Sequence, residues 1–583
     1  MELGRVTQVR GLNFYLTDPV LRRLLANAWA PPQRERAEAV LARLGQLAGT
    51  LIDEQAEYTD RFARPRLVTH DRDGNPANQV DYNPLLAEAR RRTYGLGVVG
   101  HCYGPDPLPP TFHFSAVYLI SQADTGLACP VTLTGATAHV LARHGTEVQK
   151  ERYLPGLTVR EPGPYLEGAT WVTEKQGGSD VGANSTAAIQ GSDGTWQLVG
   201  EKWFCSNADA DVALVTARPQ GAPPGTKGLA LFVVPRVLPD GRLNSYRIRR
   251  LKDKLGTISV ATGEIELSRA DAELVAPPPD GFRLMMEALQ FSRIDNAFGS
   301  AGLMRRAFLE AAVYAARRHA FGGLLIDYPM VQETLMDMLA EWEAGLLLAF
   351  EAGVAWERWL ARDEPAAAGW QRLVTALAKY RTAEDAVRNA SRAIEILGGN
   401  GYVEEFPTAR LLRDAQVMPV WEGPANIQAL EVLRALSPKL DAGRVFIERI
   451  KGILQRASGY PAAGALVDAL GREVQQLVEA LRWLAAHPET ATQHARRLSD
   501  WLADILQVGL LLEQAVPELA QGNGRTLLVA QWLARARLVR PARRGLEESS
   551  TALLDHLQGV IRPVLQHDPV PATAMPHGVS ASG

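Results

Sequence analysis

Residues 172–182 read VTEKQGGSDVG and follow the apolar run LEGATWV. Val172 ends that run, Thr173 and Ser179 supply hydroxyls, and Gly177 and Gly178 let the backbone come close to a partner. The segment suits either an ordinary Gly-Gly-Ser-Asp turn or a loop holding a polar, planar or phosphorylated ligand on N–H groups and hydroxyls. In GEKWFCSNADAD, residues 200–211, Trp203 and Phe204 precede the small hydroxyl of Ser206. Alternation along a strand sends neighbours to opposite faces, so Trp203 is expected to pack in the core. ARRHAFGG, residues 316–323, sets Arg317 and Arg318 before a Gly-Gly break. A guanidinium there can hold a phosphate bidentately or simply offset a helix C-terminus. Glu422 lies between Trp421 and Gly423, just before Pro424, which suits the first turn of a helix. The free N–H groups of such a helix start suit an anion. A carboxylate on a Gly-containing loop beside an aromatic can act as a general base, although most lone glutamates are simply solvated.

These segments need elements to carry them. Residues 1–165 read as a mostly helical domain with an extended lead segment, because EAVLARLGQLAGTLIDEQAEY has helical apolar spacing. HFSAVYLISQADTGLACPVTLTGATAHVLARHG reads as buried, closely packed helices. Residues 166–278 switch to short branched and aromatic runs such as TWQLVGEKWF, DVALVTAR and GLALFVVP, and so predict a β domain. Apolar stripes near period 3.6 return over 279–436 and predict a helical bundle in which Gly398 and Gly399 end one helix. An Ala- and Leu-rich helical segment, 437–566, follows, and 567–583 read as a disordered tail. The fold class is α+β, in the order α, β, α, extra α.

The chain has 583 residues, 46% of them hydrophobic, and a net charge of -3 from 62 basic and 65 acidic residues. That is ample for several cores and gives no global basic field for nucleic acid. Cys102, Cys129 and Cys205 are too few and too scattered for a disulfide framework or a four-ligand zinc site, so no metal is expected. No apolar run reaches spanning length and the first residues lack a signal-peptide core, so a cytoplasmic setting without membrane contact is expected.

Taken together, GTEVQKERYLPGL, VTEKQGGSDV, GEKWFCSN, RRHAFG, EILGGNGYVEEFPTARLLRDA and WEGPANIQ resemble the acyl-CoA dehydrogenase family in order and spacing across residues 110–436. Lys175 and Gln176, RLKDKLGTISVATGE, THDRDGNPANQVDYNP and the C-terminal helical segment resemble its AidB-like branch, the flavoproteins of the bacterial alkylation-damage response. The resemblance implies an acyl-CoA dehydrogenase-like fold, bound FAD and a homotetramer. It implies that Val172, Thr173, Gly178, Ser179, Phe204, Cys205 and Ser206 surround the flavin. Phe204, not Trp203, would be the stacking ring. Arg318 would reach the FAD of a neighbouring subunit, and Trp421, Gly423 and Asn426 would lie near the cofactor. Glu422 would take the α-proton of an acyl-CoA thioester while flavin N5 accepts the β-hydride. Pro424 and Asn426 stand where many members carry Thr and Gln, and the proline removes one N–H contact.

The same resemblance opens a second reading, a flavin-bearing protein that binds double-stranded DNA and retains only weak dehydrogenation. A third is that FAD is purely structural. Residues 437–583 hold 16 Lys and Arg against 14 Asp and Glu, but RARLVRPARR clusters five arginines, among them Arg537, Arg540 and Arg544. These are candidate phosphate contacts; the alternative is a solvated helix face.

Overall fold

The computed structural model describes residues 9–362, 365–539 and Val560. The chain divides into two units: Pro32–Asp295, and Met1–Pro31 together with Asn296–Gly583.

The first unit joins helices to a β sheet. Its helices are α2 (Pro31–Leu47), α3 (Asp53–Arg61), α4 (Pro84–Gly95), α5 (Thr111–Ser121), α6 (Thr125–His144) and α7 (Glu147–Leu157), which follow α1 (Pro19–Ala28) in the chain. Every residue of α5 is buried, and α6 is lined with Gly126, Ala128, Gly135 and Ala136, so it packs closely on both sides. Where α7 starts, Thr146 and Gln149 form a reciprocal capping box. Between α3 and α4 lies a hairpin, β1 (Arg66–His70) and β2 (Pro76–Asp81), that the helical reading of this region did not anticipate. Asp71 builds its turn: Oδ1 accepts from Asp73 N and Asn75 N, both at 2.9 Å.

The sheet comprises β3 (Gly168–Trp171), β4 (Ala187–Gln190), β5 (Trp196–Ser206), β6 (Val212–Pro219), β7 (Ala230–Pro235), β8 (Tyr246–Leu251) and β9 (Thr262–Ala276). Its strand order is β3-β6-β4-β5-β9-β7, with β8 on β9. An additional β6–β7 pairing closes five of these strands into a circuit around Trp171, Phe232, Ile265 and Leu267.

The second unit is helical. The long α8 (Asp280–Ala315) enters it at Asn296. A two-residue hairpin, β10 (His319–Ala320) and β11 (Gly323–Leu324), precedes α9 (Pro329–Arg362), α10 (Pro365–Leu397), α11 (Gly399–Tyr402), α12 (Pro407–Ala415) and α13 (Ala425–Ala435). The C-terminal helices α14 (Ala442–Ala457), α15 (Gly464–Ala486), α16 (Ala491–Ala520) and α17 (Arg525–Arg537) do not form a body of their own. Arg449 of α14 pairs with Glu351 of α9 and Glu513 of α16, and the buried Arg525 of α17 pairs with Glu343 of α9. Among the described residues, no helix is long and apolar enough to cross a membrane.

Candidate active site

The candidate residues fall into two groups, one in each unit. In the first unit, β3 leads into the 172–182 loop, which a residue outside the sequence-predicted set holds in shape. Glu174 is buried, and its carboxylate accepts from Ser185 N (2.7 Å), Ser185 Oγ (2.9 Å), Thr186 N (3.1 Å), Thr186 Oγ1 (2.6 Å) and Lys202 Nζ (2.9 Å). Burial opposes its charge, but Lys202 and the hydrogen bonds outweigh burial and bring its pKa down to about 2. Lys202 Nζ and Asn184 Nδ2 also donate to Val172 O, at 3.3 and 2.7 Å. The loop is therefore tied down by its buried acid while Lys175, Gln176, Gly178 and Ser179 stay exposed. Among the described residues, no hydrogen bond uses the hydroxyls of Thr173 or Ser179. A Cβ at Gly178 would meet Thr173 Oγ1 at 2.7 Å, so glycine leaves room beside that hydroxyl.

The strand that carries the aromatics departs from simple alternation. Lys202 pairs with Ile265 and Cys205 with Gly263, so β5 spends three residues where β9 spends two. This bulge turns both Trp203 and Phe204 away from the core, whereas Lys202 and Cys205 point inward. The expected core role of Trp203 is thus corrected: it is half-buried, with Lys252 Nζ 3.6 Å and Lys175 Nζ 5.5 Å from its ring centroid. Phe204 is 61% exposed. The Cys205 thiol is buried in the β core, where burial pushes its pKa up. Ser206 Oγ lies 3.3 Å from Thr262 Oγ1.

In the second unit, Glu422 adopts φ 58° and Gly423 φ 98°. A left-handed glutamate is uncommon and costs about 1–2 kcal/mol. Such strain persists where the surroundings over-determine it, which happens most often at functional sites. Gln428 Nε2 donates to the carbonyls of Glu422 (3.0 Å) and Gly423 (3.1 Å), and Lys379 Nζ donates to Gly423 O (2.8 Å). Pro424 caps α13 rather than entering its first turn. Trp421 Nε1 is buried, with no hydrogen-bond partner among the described residues. Asn426 is exposed, and Arg496 Nη1 of α16 lies 3.4 Å from its Oδ1. Arg318 stands just past α8, exposed and without an ion pair among the described residues, before a turn made by Phe321 (φ 51°) and Gly322 (φ 88°).

Arg537 corrects another expectation. Its side chain is 11% exposed and its guanidinium lies 3.1 Å from Glu341, 3.0 Å from Asp385 and 2.8 Å from Gln507. Burial opposes the charge, but Asp385, Glu341 and Asp504 outweigh it and hold Arg537 above the usual arginine range. The charge is used inside the bundle. Arg540 and Arg544 lie outside the described residues.

The residues of the first unit suit a planar ligand with a hydrogen-bonding edge: two hydroxyls uncommitted among the described residues, a glycine that leaves room beside one of them and an outward aromatic. The elements run in the order helical, β, helical along the chain. Family models agree: residues 5–161 match the adaptive response protein AidB N-terminal domain, 169–270 the acyl-CoA dehydrogenase middle domain and 279–437 its C-terminal domain. The putative acyl-CoA dehydrogenase AidB of Escherichia coli (strain K12) is 34% identical over 440 residues, covering 73% of this chain and 78% of that one. Acyl-CoA dehydrogenase family member 11 of Caenorhabditis elegans is 31% identical over 529 residues, covering 86% and 84%. The crystal structure of Caenorhabditis elegans ACDH-11 in complex with C11-CoA superposes with a TM-score of 0.84 at 28% identity, over 96% of this chain and 97% of that one. The chain belongs to the acyl-CoA dehydrogenase family and carries its AidB-type N-terminal domain.

Proposed function

We propose that this protein binds FAD and oxidises an acyl-CoA thioester between its α and β carbons, with Glu422 as general base. One observation carries the reading: in a chain of this family, Glu422 is held in the left-handed region at the head of α13. Bound FAD would supply the two-electron acceptor that no protein side chain offers. Thr173, Gly178, Ser179, Phe204, Ser206 and the backbone of Val172 and Cys205 are the proposed cofactor contacts of the first unit, and Trp421, Gly423 and Asn426 those of the second. The chain's own step is proton abstraction: a Glu422 carboxylate oxygen takes the α-proton and the thioester is left as its enolate. The Trp421 N–H, without a hydrogen-bond partner among the described residues, is a candidate donor to a ligand.

The active form is a homo-oligomer, in our reading a tetramer in the cytoplasm. Phe321 (93% exposed), Met330 (80%) and Tyr402 (81%) are large apolar side chains suited to a second copy, and Arg318 stands beside Phe321 to reach a neighbouring cofactor. Anaerobic mixing with butyryl-CoA and with C11-CoA tests the reading. Wild type should bleach its flavin band, and Glu422→Gln should be slowed roughly 100-fold or more.

A further inference from the structure

We infer that Lys379 is a positioning residue for the reaction: with Gln428, it clamps the two-residue turn that aims Glu422. The inference rests on the reading of Glu422 as base. Glu422 and Gly423 both have positive φ, and their carbonyls face the interior of the second unit. Each is met there by a buried donor. Gln428, in the first turn of α13 and fully buried, spans both carbonyls, at 3.0 and 3.1 Å. Lys379, on α10 and 1% exposed, brings its ammonium to Gly423 O at 2.8 Å.

The choice of donor is informative. A neutral amide could make the same hydrogen bond, whereas burying an ammonium carries a desolvation cost. A charged donor makes a stronger bond to the carbonyl than a neutral one. Here the stronger bond falls next to the residue whose backbone is least comfortable. Removing it frees Gly423 to leave its φ of 98° and Glu422 to relax from 58°. Either change swings the carboxylate away from its position, and a misplacement of about 1 Å can cost 10²-fold in rate. Nothing in the local sequence ALAKYRTAED marks this lysine, which reads as one more charge on a long helix.

The test uses the full-length, FAD-loaded protein. Anaerobic flavin reduction by butyryl-CoA and C11-CoA is followed across substrate concentration for wild type, Lys379→Met, Gln428→Leu and Glu422→Gln. The clamp predicts that Lys379→Met and Gln428→Leu lower the limiting reduction rate at least tenfold. Half-saturating substrate and FAD content should stay within about twofold. If Lys379→Met does not fold, Gln428→Leu carries the same prediction from the other side of the turn. The inference is overturned if a folded variant reduces at the wild-type rate, or if its loss lies wholly in substrate or FAD affinity. A Glu422→Gln protein that reduces as fast as wild type would bring down the base assignment, and the clamp with it. A slow Glu422→Gln beside a fast Lys379→Met would remove the clamp alone.

Discussion

Lys202 Nζ lies 2.9 Å from Glu174 Oε1, with the lysine side chain wholly buried and the glutamate nearly so. This pair anchors the loop that carries Thr173 and Ser179 to the strand that carries Phe204 and Ser206. Burial lowers the lysine's hold on its proton even with Glu174 beside it, so the ammonium depends on the carboxylate.

Acid stability should report that pair. The Glu174 carboxyl sits at about 2 in the folded chain, below its ordinary 4.5, so its stabilisation is complete above pH 4.5 and is lost as the pH falls toward 2. Unfolding followed across that window should show a steep loss for wild type and a shallower one for Glu174→Gln. Identical slopes would mean that the pair contributes nothing to the fold.

Phe204 separates ligand binding from packing. At 61% exposed it holds little of the core together, so Phe204→Ala should change stability by less than about 1 kcal/mol. The same substitution should weaken FAD retention, read as FAD per chain after gel filtration. A large drop in thermal midpoint with FAD unchanged would make Phe204 a packing residue.

For Arg537, stability rather than DNA affinity should respond. Arg537→Ala removes one of several cations from Asp385 and Glu341, which keep Arg388 and Arg392, so the lost charged hydrogen bonds should cost about 1.5–3 kcal/mol. Urea unfolding should show that loss, and titration with duplex DNA should show no difference at matched fractions folded. A stable variant with lost, salt-dependent duplex binding would return Arg537 to a phosphate-contacting role.

The fold class and family were legible because several local patterns agree: period 3.6 before and after a run of short strands, and cofactor-type loops in fixed order. Three features were not legible, each for a physical reason. Alternation predicts an inward Trp203, but one extra residue in β5 reverses it, and a bulge depends on register with β9 that a single strand does not encode. The arginine cluster looks exposed in RARLVRPARR, yet Arg537 finds its acids in α9 and α10, about 150 to 200 residues earlier in the chain. Glu174 reads as a loop acid beside glycines, and only the fold brings Lys202 against it. The β1–β2 turn, with its Asp-Gly-Asn sequence, was readable, but the helical pattern on both sides masked it.

The most direct test of the central claim is the visible flavin spectrum of the purified protein during anaerobic addition of butyryl-CoA or C11-CoA, wild type against Glu422→Gln. The account predicts that both proteins are yellow, that wild type bleaches, and that Glu422→Gln bleaches roughly 100-fold more slowly or not at all. A colourless protein that takes up no FAD, or two proteins that bleach at the same rate, would contradict it.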